Sequence, residues 1–453
     1  MAREIIPHRI KDWSQLNKSE SIWGTVNLDN PECNFGIHKY NDGFWTSGYV
    51  GVGRLYNKKQ QPICTDGKEH VVVISPQYDL NPWKMLEVVM SDDEYEDYIS
   101  SLDDEHFLFK VFYDEPLIRL AQDEQNDADL LYALSFVNSC YALCKKGLKK
   151  SLYYQEENCQ SKVRGKINVK KNIRENTSRG RNDRFYSQYI DFTENNIENR
   201  ILKATLAKCK KLLLERFEIG EGLAQRIGFC EYVFRRVKLV QIKLSDFNAA
   251  SVSGLYMYYK PLLRQAKCIH SQKYYSYSAD NGITIARSVF TVPYMINMET
   301  LFEFYARTLI KKALEETNYT LAPYAQKIFL QKNVTDISQS EKGTHLIPYC
   351  IPDLIICERN TGNPIMVLDA KYKQHNRTAR TDSHQLLAYV LLAYVLLTGV
   401  KKCGFVFPGE EVQIKPMSTG ISLPLNASDL AYYEVLINNE LMKDHFDQII
   451  TAT

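Results

Sequence analysis

The sequence has no cysteine pair of the kind that usually binds zinc or forms a redox-active disulfide. None of the eleven cysteines occurs as Cys-x-x-Cys, and the nearest pair, Cys140 and Cys144, has no further Cys or His at zinc-finger spacing. Because these two lie about one helical turn apart, we expect them to be small core hydrophobes. Scattered cysteines without a disulfide framework are typical of a reduced, cytoplasmic protein.

The sequence also lacks a long apolar run and a leader-like start. The most apolar stretch, residues 386–397, is twelve residues long, whereas a membrane-spanning helix needs about 20. The first residues, MAREIIPHRIKDW, are charged and contain no apolar segment, which argues against a signal peptide. We therefore expect a cytoplasmic protein that does not enter a membrane.

A phosphate-binding loop is missing as well. The pattern G-x-x-x-x-G-K-[ST] does not occur, and the pair Gly165 and Lys166 lacks both the preceding glycine and the following hydroxyl residue. The chain is therefore not expected to bind a nucleoside triphosphate itself.

Net charge is low, but it is unevenly distributed. The formal charge is +2, which does not indicate a nucleic-acid-binding protein. Residues 145–184, however, contain thirteen Lys or Arg against four acids, and residues 91–129 are mainly acidic. The basic segment would suit DNA phosphates, and it would equally suit an exposed, solvated hairpin.

Two acids and a lysine in the C-terminal third form the most informative pattern. Asp353 lies in the apolar run IPDLII, and Asp369 and Lys371 lie in a second run, PIMVLDAKYK. Residues two apart in a strand project from one face, so Asp369 and Lys371 point the same way, and a neighbouring strand can bring Asp353 beside them. Carboxylates bind Mg²⁺, the ion activates water, and the lysine stabilises negative charge. The pattern predicts a phosphodiesterase site, although two strands with ordinary edge charges would also match it.

The predicted elements around these strands have a definite order. Residues 293–318 carry apolar residues at near-helical spacing, a strand is predicted from Lys327, and the two acidic strands follow. Residues 383–397 predict a capped helix, and residues 403–407 predict a short buried strand. The order of helices and strands is therefore αβββαβ.

The rest of the chain is less regular. Residues 1–105 contain short apolar and aromatic runs, which favour a small β-rich or mixed domain, and the acidic residues 91–105 predict a linker or a solvated helix. Four further elements are predicted in the middle of the chain: a helical region at 106–150, an exposed hairpin or barrel at 151–187, a helix at 198–217 and a strand at 235–244.

This order of elements, with these residues, resembles the PD-(D/E)xK nuclease superfamily, whose fold is restriction-endonuclease-like. Gln385 and Tyr389 match the QxxxY motif of RecB-like members, and their spacing places both on one helix face. Glu303 matches the acidic residue that the first helix contributes near the metal. Without the resemblance, all three would be read as ordinary helix-surface residues.

The resemblance implies roles for the matching residues. Asp353 and Asp369 are expected to bind Mg²⁺, or Mn²⁺ in its place, together with the carbonyl of Ala370 and with Glu303 through water. Lys371 is expected to orient or deprotonate the attacking water. Gln385 and Tyr389 are expected to support the site or contact the DNA backbone.

A second resemblance covers residues from about 130 to the C-terminus and narrows the family. Residues 163–173, VRGKINVKKNI, and residues 185–206 resemble signatures of the McrC subunit of modified-cytosine restriction systems. The second signature is carried by Asp191, Phe192, Asn199, Arg200 and Lys203. The resemblance implies an endonuclease subunit that cuts double-stranded DNA, expected to be methylated, when a ring-shaped McrB-like AAA+ GTPase activates it. GTP then acts only through the partner, and the basic segment would be a protrusion toward that ring.

Together these patterns predict a multidomain α+β protein, for which 453 residues are sufficient. We expect a β-rich or mixed domain at 1–105, a basic partner-binding region at 106–285 and an αβββαβ nuclease domain at 286–453. Two other functions stay open: a stand-alone RecB-like nuclease of DNA repair or processing, and a non-enzymatic adaptor of an AAA+ motor. Cleavage by the purified chain alone would favour the first.

Overall fold

The computed structural model of the protein describes a large part of the chain, and every structural statement below concerns these residues. They are residues 4–17, 21–29, 34–40, 43–78, 80–102, 107–120, 128–216, 219–277, 289–315, 317–324, 328–329, 349–350, 352–373, 400, 402–409, 413–417 and 431–437. They form a mixture of helices and several sheets, which confirms the predicted α+β class. No helix in these ranges is both long and apolar enough to cross a membrane.

The strands are β1 (Ile5–Lys11), β2 (His38–Tyr40), β3 (Gly43–Trp45), β4 (Tyr49–Arg54), β5 (Cys64–Thr65), β6 (Lys68–Ser75), β7 (Phe109–Val111), β8 (Ile118–Leu120), β9 (Ser151–Gln160), β10 (Lys166–Ile167), β11 (Arg184–Thr193), β12 (Val289–Thr291), β13 (Tyr294–Asn297), β14 (Tyr319–Leu321), β15 (Ile328–Phe329), β16 (Tyr349–Cys350), β17 (Leu354–Glu358), β18 (Pro364–Ala370), β19 (Lys402–Pro408), β20 (Gln413–Met417) and β21 (Ala431–Ile437). The α-helices are α1 (Pro82–Met90), α2 (Tyr95–Ser101), α3 (Ala128–Lys146), α4 (Val169–Glu175), α5 (Ile197–Arg216), α6 (Glu221–Val233), α7 (Asp246–Ala249), α8 (Tyr259–Tyr277) and α9 (Met298–Leu314).

The chain divides into two compact units. The first contains residues 1–120, 217–223 and 291–453, and the second contains residues 121–216 and 224–290. The three consecutive segments expected from the sequence do not follow this division, because the first unit draws on both ends of the chain. The roles expected for those segments stay predictions.

The first sheet of the first unit has the strand order β1-β6-β4-β13-β7, and β5 also pairs with β6. β6 carries an apolar run that is buried on both faces, as expected of a strand between two neighbours. β1 pairs with it in parallel, and β4 pairs with it antiparallel. The core of this sheet includes Leu16, Trp23, Phe35, Val72 and Ile74.

Strand β13 connects the two ends of the chain within this sheet. It pairs antiparallel with β4 and β7, although more than 180 residues separate it from either in sequence. Such pairing is physically accessible because the entropy of loop closure grows only slowly with loop length. A Cβ atom at Gly51, where φ is +146°, would lie 2.2 Å from the Tyr294 carbonyl oxygen, so the close approach of β4 and β13 requires glycine there.

Helix α9 begins later than the sequence pattern predicted. Residues 294–297 are the strand β13, and Asn297 caps the helix by accepting hydrogen bonds from the amides of Glu299 and Thr300. The predicted apolar stripe is confirmed: Met298, Leu301, Phe302, Tyr305, Leu309 and Leu314 are all buried.

The second sheet of the first unit has the order β14-β17-β18-β19-β21-β20. β17 pairs antiparallel with β14 and β18, while β18 and β19 run parallel, as do β19 and β21. The strand predicted from Lys327 is present as β15, which pairs with β16, whereas the strand that pairs with β17 on the other side from β18 is β14. The predicted helix at 383–397 lies outside the described residues.

The second unit combines helices with a small sheet of order β10-β11-β9. β9 and β11 pair antiparallel over ten residues each, from Ser151 opposite Thr193 to Gln160 opposite Arg184, which confirms the predicted hairpin. The helix predicted at 198–217 is confirmed as α5. The region predicted as helical at 106–150 contains α3, but β7 and β8 precede it.

The strand predicted at 235–244 was wrong. Residues Phe234–Arg236 form a 3₁₀ turn, and no helix or strand follows until α7. The Lys203 ammonium on α5 donates to the carbonyls of Phe234 and Val237, at 3.0 and 2.6 Å. These carbonyls therefore bond to a side chain instead of a neighbouring strand, although the sequence alternates as a strand would.

Candidate active site

The pairing of β17 with β18 brings the two predicted aspartates together. Leu354 lies opposite Leu368 in this antiparallel pair, so one step along the register places Asp353 opposite Asp369. The Asp353 Oδ2 atom accepts a hydrogen bond of 2.8 Å from the Ala370 amide. Ala370 lies between Asp369 and Lys371 in the sequence, so this bond holds the Asp353 carboxylate near both of these residues.

Lys371 lies directly after β18, and its side chain turns toward the aspartates. Its Nζ atom is 2.7 Å from Asp369 Oδ2, and its amide donates to the Val406 carbonyl of β19 at 2.8 Å. Burial disfavours the charged ammonium, but Asp369, Asp353 and Glu303 outweigh burial and raise the pKa of Lys371. The side chain of Lys371 is 43% exposed and that of Asp369 is 20% exposed, so the lysine side of the cluster is open to solvent.

Helix α9 adds a third carboxylate to the cluster. Glu303 Oε1 accepts a hydrogen bond of 3.4 Å from the Tyr324 hydroxyl. Burial raises the pKa of Glu303 to about 7, assisted by repulsion from Asp369 and opposed by the positive charge of Lys371. Glu303 therefore lies close enough to Asp369 and Lys371 for their charges to act on it.

Burial and mutual repulsion together perturb the carboxyl groups of the cluster. Burial raises the pKa of Asp353 well above its usual range, and the neighbouring Asp369 and Glu303 carboxylates raise it further. Perturbed acids that converge on one spot are typical of catalytic and metal-binding sites. Oxygen ligands of this kind suit a hard divalent cation such as Mg²⁺ or Mn²⁺, so the residues present fit the predicted ion.

Arg307, which no sequence pattern indicated, lies one turn after Glu303 on α9. Its side chain is 2% exposed, and its guanidinium donates to the backbone carbonyls of Asp353, at 3.4 Å, and Ala322. The Nε atom also donates to Glu94 Oε2 at 3.0 Å. Arg307 therefore joins the segment that carries Asp353 to the acidic segment near the N-terminus.

That acidic segment had been predicted as a linker or a solvated helix, and this was wrong for the residues that face α9. Asp92 is buried and lies 2.9 Å from the Lys311 ammonium, which also contacts Asp93. Glu94 pairs with Arg307. No local sequence pattern could indicate these contacts, because Arg307 and Lys311 lie more than 200 residues after the acids that they pair with.

The other predicted site groups are the side chains of Gln385 and Tyr389 and the carbonyl of Ala370. Gln385 and Tyr389 lie outside the described residues. Ala370 contacts Asp353 through its amide, and the predicted use of its carbonyl as a metal ligand stays a prediction.

The fold is that of an α+β protein with a cluster of carboxylates and one lysine near the ends of two neighbouring strands, β17 and β18. Comparison with known proteins gives the family of the chain. The model of the family described as "McrBC 5-methylcytosine restriction system component" matches residues 111–401. This match covers more than half of the chain, and the chain belongs to this family. The sequence-based assignment is thereby confirmed at the level of the family.

Two solved structures from Thermococcus gammatolerans are also similar. One is a refined half-complex from a tetradecameric assembly of McrB AAA+ hexamers with bound McrC, with 13% identity, 98% of this chain and 100% of that chain covered, and a TM-score of 0.37. The other is a cryo-EM structure of the McrBC complex, with 13% identity, 69% and 89% covered, and a TM-score of 0.29. No significant match was found among curated proteins.

Proposed function

We propose that the chain is the Mg²⁺-dependent endonuclease subunit of an McrBC-like restriction system and hydrolyses phosphodiester bonds of double-stranded DNA in the cytoplasm. The observation that supports this most is that Asp353 and Asp369 face each other across β17 and β18, with Lys371 paired to Asp369 and with Glu303 near enough for their charges to act on it. Carboxylates held this close repel one another, and a divalent cation offsets that repulsion. Membership of a restriction-system family supports DNA, expected to be methylated, as the substrate.

The metal ligands in this proposal are Asp353, Asp369 and the carbonyl of Ala370. When bound, Mg²⁺ or Mn²⁺ polarises the phosphate and lowers the pKa of a water molecule. The two aspartates supply the hard oxygen atoms that these ions prefer. Glu303 lies on α9 and not on either of the paired strands. In this proposal it would contact the ion through a water molecule.

In this proposal Lys371 stabilises negative charge and Glu303 accepts a proton. Because the pKa of Lys371 is raised, its side chain is a cation at neutral pH, suited to stabilising the negative charge that develops on the attacked phosphate. Glu303 has a pKa of about 7 and can accept a proton from water near neutral pH. As the superfamily implies, water attacks the phosphorus in line, the bond to the 3′ oxygen breaks, and the products are a 5′-phosphate and a 3′-hydroxyl. Gln385 and Tyr389 are expected to support the site or contact the DNA backbone.

The second unit offers a surface for the partner. Leu152 pairs with Phe192 and Tyr154 pairs with Ile190 across β9 and β11, and the four side chains lie on the same face of the hairpin. All four are more than half exposed. A contiguous apolar face exposed to water is typical of a protein interaction site. The proposed occupant is a ring-shaped McrB-like AAA+ GTPase, which alone binds GTP.

The experiment that tests the proposal is a cleavage assay with every component varied separately. The purified chain, a purified McrB-like GTPase, GTP, Mg²⁺ and methylated plasmid should give cleavage together, and omission of any one should remove it. Cleavage by the chain and Mg²⁺ alone would instead support a stand-alone RecB-like nuclease. Stimulation of GTP hydrolysis with no cleavage under any condition would support a non-enzymatic adaptor.

A further inference from the structure

Three thiols meet in the second unit, at the packing of α3 against α6. Cys140 and Cys144 lie one turn apart on α3, and Cys230 faces them from α6. The three Sγ atoms all lie within 4.8 Å of one another, and all three residues are buried. Among the described residues, no other three His, Cys, Asp or Glu side chains bring their ligand atoms this close.

Cys140 and Cys144 are buried, as expected of core residues, and Cys230 places a third thiol beside them. The third thiol comes from a residue 86 positions after Cys144, so no zinc-finger spacing could reveal it. The Sγ atoms of Cys140 and Cys144 both lie within 4.8 Å of the Cys230 Sγ atom. Buried cysteines that only fill space have no need to converge at a single point.

We propose that Cys140, Cys144 and Cys230 bind a thiophilic metal ion of the Zn²⁺ or Cu⁺ class and that this ion fastens α3 to α6. Thiolates are soft ligands that select these ions over Mg²⁺ and Mn²⁺. Zn–S bonds of about 2.3 Å place two thiolate sulfurs roughly 3.8 Å apart. Small rotamer changes would bring the three Sγ atoms to that separation.

The surroundings favour an anionic metal cluster. Arg226 lies one turn before Cys230 on α6 and is 5% exposed. Its guanidinium lies 4.8 Å from the centre of the Tyr141 ring, and it donates to Asn138 Oδ1 at 3.1 Å. Three thiolates and one Zn²⁺ carry a formal charge of −1, which the nearby guanidinium balances.

The location gives the ion a structural role. Helix α3 ends at Lys146, and β9 of the exposed hairpin begins at Ser151. An ion between α3 and α6 would therefore fix the helix from which the hairpin starts. This site is separate from the carboxylate cluster and does not depend on the proposed nuclease function.

The test is a titration of the full, reduced and metal-free chain with Cd²⁺, followed by ultraviolet absorption. We expect a thiolate-to-metal charge-transfer band that saturates at one ion per chain and that Zn²⁺ or Cu⁺ removes by competition. The band should be lost in Cys230→Ser and Cys140→Ser. It should persist in Cys209→Ser, a buried cysteine of the same unit outside the cluster, and in Asp369→Ala.

An equal band in wild type and Cys230→Ser, or no band in wild type, would overturn the proposal. If the cysteine variants do not fold, X-ray absorption of the Cd²⁺-loaded wild type decides the question alone. Three sulfur neighbours around one ion support the site, whereas oxygen neighbours only, or no bound ion, refute it. Metal analysis of the protein as purified then identifies which thiophilic ion it carries.

Discussion

Asp353 and Ala370 are joined by a hydrogen bond of 2.8 Å, from the Ala370 amide to the Asp353 carboxylate. The bond crosses from the residue before β17 to the last residue of β18. The two acidic segments therefore cannot shift in register without breaking it. The proposed metal site depends on paired strands, which position ligands more firmly than a loop does.

Replacing Asp369 by Ala should abolish DNA cleavage while leaving the fold intact. Asp369 is partly exposed and lies one residue before the end of β18, so its removal costs little packing, but the ion loses a ligand and Lys371 loses its ion-pair partner. We expect a rate reduction of at least about 1,000-fold, which corresponds to about 4 kcal/mol of barrier. The assay is plasmid cleavage with the partner and GTP.

The matched control for this variant is Glu358→Gln, an acid at the opposite end of β17 that bonds to Thr361. It should cut at the wild-type rate. Cleavage by Asp369→Ala as fast as by wild type would show that the site has been assigned to the wrong residues.

The metal-free protein should lose stability as pH rises toward neutrality. In the folded state the pKa of Glu303 is raised from 4.5 to about 7, so between these values the folded state holds a proton that the unfolded state releases. This contribution is fully present below pH 4.5 and is lost as pH rises through about 7, with a magnitude on the order of 1–3 kcal/mol. Chemical unfolding of wild type and Glu303→Gln between pH 4.5 and 8 measures it. The variant should show a smaller loss, and identical pH profiles would contradict the assigned burial and repulsion.

Arg307 should act as a positioning residue for Asp353. Arg307→Met removes the donor to Glu94 and to the carbonyls of Asp353 and Ala322, and the lost hydrogen bonds should cost about 1–3 kcal/mol in unfolding free energy. Arg307→Lys keeps the charge but loses the fork of donors. We expect this variant to need more Mg²⁺ for half-maximal cleavage, with the rate restored at saturating Mg²⁺. A lower rate at every Mg²⁺ concentration, with unchanged Mg²⁺ dependence, would argue against positioning.

The exposed apolar face of β9 and β11 should be required for binding the partner and not for binding the metal ion. This face consists of Leu152, Tyr154, Ile190 and Phe192. The double change Tyr154→Ser and Phe192→Ser alters side chains that are 83% and 67% exposed, so folding should be unaffected. We expect binding to the McrB-like ring to weaken by at least about tenfold, or about 1.4 kcal/mol. The control is Tyr40→Ser, an equally exposed tyrosine of the first unit at 62%. Unchanged partner affinity in the double variant would exclude this face.

Local patterns predicted the parts of the site that strand geometry determines. The period of two in β18 placed Asp369 and Lys371 on one side, and the neighbouring apolar run supplied Asp353. Helical periodicity likewise located α9, whereas Glu303 was indicated only by the family resemblance. The catalytic and metal-binding roles of these residues stay predictions.

The features that were missed depend on pairs of residues far apart in sequence. Neither Arg307 with Glu94 nor Cys144 with Cys230 follows any spacing rule, because tertiary packing brings them together. Strand β14 is three residues long, too short for a periodic signal, and takes its place through pairing with β17. At the start of the segment predicted as a strand at 235–244, the Lys203 ammonium takes the carbonyls of Phe234 and Val237, another contact between residues far apart in sequence.

The most direct measurement is the binding of Mn²⁺ to the purified chain, followed by electron paramagnetic resonance and calorimetry, in wild type and in Asp353→Asn. Mn²⁺ prefers oxygen ligands and so reports the carboxylates rather than the thiols. Wild type should bind one Mn²⁺ ion, whose charge offsets the repulsion between the two carboxylates. The Asp353→Asn variant can still accept the hydrogen bond from the Ala370 amide, and it should bind Mn²⁺ at least about tenfold more weakly than wild type. Equal Mn²⁺ affinity in the two proteins would contradict the claim that Asp353 and Asp369 share a divalent cation.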